Sequence, residues 1–215
     1  MSDVRLARGV LITFEGGEGA GKSTHIESAR RFLAERGYEV VVVREPGGTE
    51  IGEAIRTILL SRAFLEMDPL TELLLYESAR AQIVDQVIKP ALQSGAIVLC
   101  DRFTDSTKAY QGFGRGLDQE SIDILNAIAS RDIVPDCTIL IEVPVAEGLA
   151  RAQRKGEPDR LESQDVAFHQ AVHEGYATLA SNEPDRIHTV DGTRDKSDVA
   201  QEIARIIERV LADVR

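Results

Sequence analysis

Positive charge is scarce in this sequence: 25 Lys and Arg stand against 36 Asp and Glu in 215 residues, a formal charge of −11. Clustered Lys and Arg are what displaces counterions from a phosphate backbone, so this balance excludes a broad nucleic-acid-binding surface and leaves room only for a local basic pocket around a small anion. Cysteine is nearly missing. Cys100 and Cys137 sit in two separate strand-like apolar runs, which excludes a disulfide framework or a cysteine metal site and reads as two reduced, buried thiols. Long apolar runs are absent too. None approaches the roughly 20 residues needed to cross a bilayer, and the N-terminus has no apolar core of a secretory signal. A cytoplasmic protein with no membrane segment is the expectation. With no internal repeat, low-complexity linker or long block of like charge, nothing marks a domain boundary, and 43% hydrophobic residues suit one domain spanning 1–215.

What the chain does have is an alternation of short β-branched runs with longer amphipathic segments. Strands are expected at Val10 to Phe14, Glu39 to Val43, Ala96 to Cys100, Cys137 to Val143 and Ile187 to Val190. Helices are expected at Ser23 to Arg36, Glu50 to Ser61, Pro69 to Leu92, Gln119 to Ser130, Val145 to Lys155, Gln164 to Ala180 and Ser197 to Val214. The order predicts an α/β fold on a parallel five-stranded sheet flanked by helices. Ligands of such sheets collect at the carboxyl ends of the strands, which gathers Glu15 to Gly21, Arg44 to Thr49, Asp101 to Phe103 and Val143 to Val145 around one crevice.

The first strand runs into Gly16-Gly17-Glu18-Gly19-Ala20-Gly21-Lys22-Ser23-Thr24, with a helix directly after. Gly, four residues, then Gly-Lys-Ser is a phosphate-binding loop: glycines let backbone N–H groups turn inward, and the helix aims its positive end at the same anion. A nucleoside triphosphate is the expected ligand. Lys22 reaches its β- and γ-phosphates, and the Ser23 hydroxyl offers a hard oxygen to the accompanying Mg²⁺.

Three further groups suit phosphoryl transfer. Asp101 and Arg102 leave the third strand beside the loop, the Asp to serve the metal shell and the Arg to fork onto an acceptor phosphate; the alternative is a surface ion pair. Tyr76 and Arg80, four apart on one helix face, suit a planar base, or else a core tyrosine capped by a surface arginine. Arg151, Arg154, Lys155 and Arg160 cluster around Gly156 and Pro158. They predict either a mobile lid whose arginines reach the transferring group on closure or a solvated basic helix end. Asp159 and Glu162 would then position Arg160 or approach the metal.

Taken together these motifs resemble thymidylate kinases, over nearly the whole chain. The resemblance rests on the loop through Thr24, on Arg44-Glu45-Pro46-Gly47-Gly48-Thr49, on Asp101-Arg102-Phe103 running through Ser106 to Ala109-Tyr110-Gln111-Gly112, and on Asp159-Arg160-Leu161-Glu162. It implies a P-loop NTPase-type fold with a lid at about 148–162. It also implies phosphorylation of dTMP to dTDP by ATP and Mg²⁺ in dTTP synthesis. Glu18 would face the acceptor sugar and phosphate, Tyr76 the thymine ring, Arg80 its O4, and Arg102 the acceptor phosphate. Thr107 and Tyr110 would take the base edge and deoxyribose, with Ser106 and Gln111 alongside. Arg56 is a further phosphate candidate, with pairing to Glu53 as the alternative. Some members carry Arg where this chain has Ala20; with only Lys22 basic in the loop, this chain resembles the bacterial arrangement, in which Arg151, Arg154 or Arg160 meets the developing charge. A homodimer is implied as well, with Gln119 to Ser130 or part of Leu70 to Leu92 as the apolar face. Two other readings stay open: a P-loop kinase for a different nucleoside or nucleotide, and a nucleotide-gated switch, although no guanine-reading Asn-Lys-x-Asp string is present.

Overall fold

The structure, a computed structural model, describes residues 6–154, 156–212 and Val214. Five strands, β1 (Val10–Glu15), β2 (Val40–Arg44), β3 (Ile97–Asp101), β4 (Cys137–Glu142) and β5 (Ile187–Asp191), form one sheet in the order β2-β3-β1-β4-β5. Every pairing is parallel, with Phe14 opposite Asp101 and Ile139. The expected strands are therefore present to within two residues. The helices are α1 (Lys22–Ala34), α2 (Glu50–Leu60), α3 (Pro69–Ile83), α4 (Lys89–Gln93), α5 (Thr104–Thr107), α6 (Gln119–Ser130), α7 (Val145–Gln153), α8 (Val166–Asn182) and α9 (Lys196–Ala212).

Two helical features were not expected. The segment Pro69 to Leu92 is not one continuous α-helix: a π-turn at Val84–Ile88 separates α3 from α4, with Lys89 N bonding back to Val84 O. Pro90 accounts for it, because it has no N–H to continue the ladder and its ring crowds the carbonyl one turn earlier. The second is α5 and the π-helical turn that follows it at Lys108–Gly114. Polar residues and two glycines hide any apolar period there.

Strand alternation sorts the core. Val10, Ile12 and Phe14 face α1 and α9, packing with Leu33, Ile203 and Ile207. Leu11, Val98 and Cys100 face the opposite layer of Ile83, Val84 and Ile88, and Leu140 and Ile187 meet Phe168, Val172 and Tyr176 of α8. Cys100 and Cys137 are free and buried. Among the described residues no helix is long and apolar enough to cross a membrane.

One buried polar chain ties the site layer to the far sheet edge. Arg186 donates to both oxygens of Asp105, at 2.7 and 2.9 Å, and Thr138 Oγ1 bonds Asp105 and Thr13. Asp105→Ala would remove the two-pronged partner of Arg186, which would keep Glu183 at 2.7 Å and Thr138 at 2.8 Å. Urea unfolding should register a loss of about 1–3 kcal/mol, and a loss below about 0.5 kcal/mol would show that Glu183 and water take over the pairing.

Candidate active site

Three strands deliver their last residues to one rim: Glu15 from β1, Arg44 from β2 and Asp101 from β3. The loop after β1 is built for close approach. Gly19 has φ +67°, and a Cβ there would lie 2.0 Å from the Gly148 carbonyl oxygen, so only glycine fits. Gly21, at φ +94°, turns the chain into α1. Lys22 is buried and folded back on the loop, its Nζ donating to Gly16 O at 2.9 Å and Gly17 O at 3.1 Å. Burial, with Arg102 nearby, brings its amine down to about 8. Ser23 Oγ donates to Asp101 Oδ2 at 3.4 Å. A hydroxyl and a carboxylate beside the lysine are the hard oxygens that Mg²⁺ prefers, so these residues fit that ion. No cluster of three or more His, Cys, Asp or Glu forms a separate metal centre among the described residues.

Arg102 is not in a surface pair with Asp101. Its guanidinium lies across the loop: Nη2 donates to Glu18 Oε1 at 3.0 Å and Tyr110 Oη at 2.9 Å, and Nη1 donates to Gly16 O, Ser106 Oγ and Tyr176 Oη, each at 3.2 Å. Glu18 also accepts from Tyr110 Oη at 2.6 Å. Burial alone would push its pKa up, but Arg102, Lys22 and the Tyr110 hydroxyl outweigh it and hold the carboxyl below the usual range.

Beyond Arg102 lies a cavity of about 160 Å³ that Glu18, Tyr76, Arg80, Thr107, Tyr110 and Gln111 help to line. The structure brings both Tyr76 and Arg80 to it and reverses the alternative reading of a core tyrosine capped by a surface arginine. Arg80 is the buried member, at 2% exposure, and Tyr76 is half-buried. Arg80 Nε donates to Glu45 Oε2 at 2.8 Å, and Nη1 reaches Glu77, Thr107 and Asn126 at 2.6 to 2.9 Å. Arg56 also lines the cavity. It donates to Pro46 O at 2.9 Å, while Glu53 pairs with Arg44 instead. Ser106 turns its hydroxyl inward to Glu15, and Gln111 donates to Glu72, so both are occupied by protein partners.

The expected lid arginines separate. Arg151 pairs with Glu147 at 2.6 Å and donates to Gly192 O at 3.1 Å, packed beside Gly19. Arg154 is exposed at the end of α7, and Lys155 lies outside the described residues. Arg160 departs from the expectation of a mobile arginine: it is 1% exposed, ion-paired with Glu72 at 2.6 Å and donating through Nε to Leu59 O at 2.7 Å. A buried carboxylate captures it, because leaving that charge unpaired in the interior would cost several kcal/mol (~3–5). The stretch from 148 to 162 is thus anchored at both ends, by Gly148 on the loop and by Arg160 on α2 and α3.

A thymidylate kinase family model matches residues 14–203. The thymidylate kinase of Geobacter sulfurreducens is 50% identical over 205 residues, covering 93% of this chain and 96% of its own. That of Alcanivorax borkumensis is 48% identical over 204 residues, covering 95% and 98%. The chain belongs to the thymidylate kinase family. The solved structure of thymidylate kinase from Ehrlichia chaffeensis agrees in fold, with a TM-score of 0.77 at 34% identity over 93% of this chain and 98% of that one. Membership makes this thymidylate kinase family member an enzyme, and the nucleotide-gated switch falls away.

Three residues around this candidate site were given no role by the sequence reading: Glu15, Glu45 and Tyr176. Glu45 sat in a quoted motif, but its burial against Arg80, 35 positions away, leaves no local signal. Burial, with Glu77 and Glu15 nearby, pushes its carboxyl up to about 7 against the pull of Arg80. An unfolded Glu titrates near 4.3, so the folded chain holds the extra proton between those values. The group's contribution is fully present below the unfolded value and is lost as pH rises through about 7. Between pH 5 and 8, urea unfolding of the parent should lose stability more steeply than Glu45→Gln, by at most about 1.4 kcal/mol per pH unit. Parallel curves would rule the titration out.

Proposed function

We propose that the protein transfers the γ-phosphoryl group of ATP to dTMP, giving dTDP for dTTP synthesis. One observation carries this reading: Glu18 and Arg102 line both the loop cavity that holds Lys22, Ser23 and Asp101 and the cavity that holds Tyr76, Arg80 and Tyr110. Donor and acceptor then meet at Arg102, with Arg56 also lining both cavities.

The backbone from Gly16 to Thr24 receives the ATP phosphates at the positive end of α1. Lys22 exchanges its two carbonyl partners for phosphate oxygens, and the added negative charge restores its full protonation. Ser23 and Asp101 would hold Mg²⁺, which supplies charge neutralisation on the donor phosphates when bound. On the other side, the dTMP phosphate replaces Glu18 on the Nη2 edge of Arg102, with Arg56 as a second cation near it. Tyr76 covers the thymine ring, Thr107 sits at its edge, and the remaining Nη2 proton of Arg80 meets O4. Tyr110 is held edge-on by Phe168 and Tyr176, at centroid distances of 6.1 and 6.3 Å, so it cannot yield to a ribose 2′-hydroxyl.

The acceptor phosphate is already an anionic nucleophile at neutral pH, so in-line transfer needs positioning and charge neutralisation rather than a general base. Of the expected lid arginines, Arg151 and Arg154 are left to meet the developing charge, with Arg160 as the anchor of their segment. The protein acts in the cytoplasm as a homodimer, a reading supported by the exposed Ile124 and Ile128 of α6 and Leu70 and Leu74 of α3.

ADP release measured with ATP, Mg²⁺ and each nucleoside monophosphate in turn should depend on dTMP. Release that depends on another acceptor, or on none, would overturn the assignment. Arg102→Ala should lower turnover with dTMP by at least about a hundredfold while ATP binding stays near the parent value. Turnover near the parent rate would remove Arg102 from the mechanism.

A further inference from the structure

The two ends of the Arg102 guanidinium meet different surroundings. Nη2 faces Glu18 and Tyr110, which line the acceptor cavity. Nη1 faces a small polar cluster drawn from three elements: Glu15 at the end of β1, Ser106 in α5 and Tyr176 in α8. Tyr176 Oη donates to Glu15 Oε2 at 2.8 Å, Ser106 Oγ donates to the same oxygen at 2.5 Å, and the two hydroxyls lie 2.8 Å apart. Both hydroxyl oxygens accept from Arg102 Nη1 at 3.2 Å. Glu15 is 0% exposed and Tyr176 3%, and neither lines the acceptor or the loop cavity. A substrate in those cavities does not touch them.

The backbone of Arg102 also depends on this cluster. Its φ of +71° is left-handed, a conformation that costs a residue with a Cβ about 1–2 kcal/mol. Three bonds keep it there: Arg102 N to Phe14 O at 3.0 Å, Phe103 N to Glu15 Oε1 at 2.7 Å, and Cys100 Sγ to Arg102 O at 2.9 Å. Glu15 thus fixes the turn through one oxygen and, through the other, orients the hydroxyls that hold the side chain. An arginine left to itself samples many rotamers, so a side chain locked from behind meets an anion without further ordering cost.

We propose that Tyr176, with Ser106 and Glu15, is a positioning residue that locks the Nη1 end of Arg102 so that the Nη2 edge is presented to the acceptor phosphate. The inference rests on the assignment of Arg102 to a monophosphate. Tyr176 lies 161 residues from Glu15 in sequence, so α8 takes part in catalysis without meeting either substrate.

Tyr176→Phe removes the hydroxyl and keeps the ring against Tyr110. Its thermal midpoint should fall by only a few degrees, leaving the chain folded at the assay temperature, while kcat/KM for dTMP falls about tenfold, carried mainly by KM. KM for ATP should remain within about twofold of the parent. In an Arg102→Ala background the same substitution should change kcat/KM by less than about twofold, because the residue it acts through is gone. An unchanged KM for dTMP, an equal rise in both KM values, or the same loss in both backgrounds would overturn the role. The parent enzyme separates the two claims. If it uses another monophosphate in place of dTMP, the base assignment fails and the cycle is run with that acceptor, since Arg102 faces a phosphate and not a base. A parent that uses no monophosphate overturns both.

Discussion

Glu15 ends the central strand with a carboxyl group shut off from solvent, and the site depends on how that group is satisfied. Four donors surround the rim it controls: the Phe103 amide, the Ser106 and Tyr176 hydroxyls and, through them, the Arg102 guanidinium. Burial and the neighbouring Asp105 push its carboxyl upward, and Arg102 and the two hydroxyls pull the other way. A buried acid of this kind is tolerated only where its partners are fixed. That need for partners draws β1, the turn after β3 and α8 to a common point, from which Arg102 reaches both the loop cavity and the cavity beside Tyr76.

The parallel sheet was legible in the sequence because strand and helix periods are local, and so was the loop, whose glycines and Lys22 lie within a few positions of one another. Arg102 could be placed beside the loop for the same reason: it directly follows a β-branched run that ends at the sheet rim. Its surroundings could not. Tyr176 and Glu72 are single polar positions on helices, and their burial is decided by partners 39 to 161 residues away. Arg80 shows the limit from the other side. Helical spacing put it on the correct face with Tyr76 and within reach of Glu77, but whether it was capped by solvent or by Glu45, Thr107 and Asn126 rested on three segments that the spacing does not connect.

Arg160 misled for an electrostatic reason. A basic cluster broken by glycine and proline in an acidic chain reads as mobile, since exposed arginines are well solvated. Glu72 has no exposure at all and binds Arg115 at 3.0 Å and Arg160 at 2.6 Å. One carboxylate between two guanidiniums fastens the segment around 160 to α3 and, through Gln111, to the turn that carries Tyr110. The same node therefore braces the cavity lined by Tyr76, Arg80 and Tyr110 and the segment around Arg160.

Gly19 and Gly148 meet backbone to backbone, with no space for a Cβ on either. Mechanically this contact is a fulcrum. Helix α7 crosses the phosphate loop at this contact, with the Cβ of Arg151 packed beside Gly19. Gly148 lies about six residues before Arg154, a lever arm of roughly 9 Å at the α-helical rise. A rocking of about ten degrees would carry the Arg154 end by roughly 1.5 Å. The glycine loop is thus also the support on which the arginine-carrying helix rests, and a small rotation about that contact would arrive enlarged at the helix end.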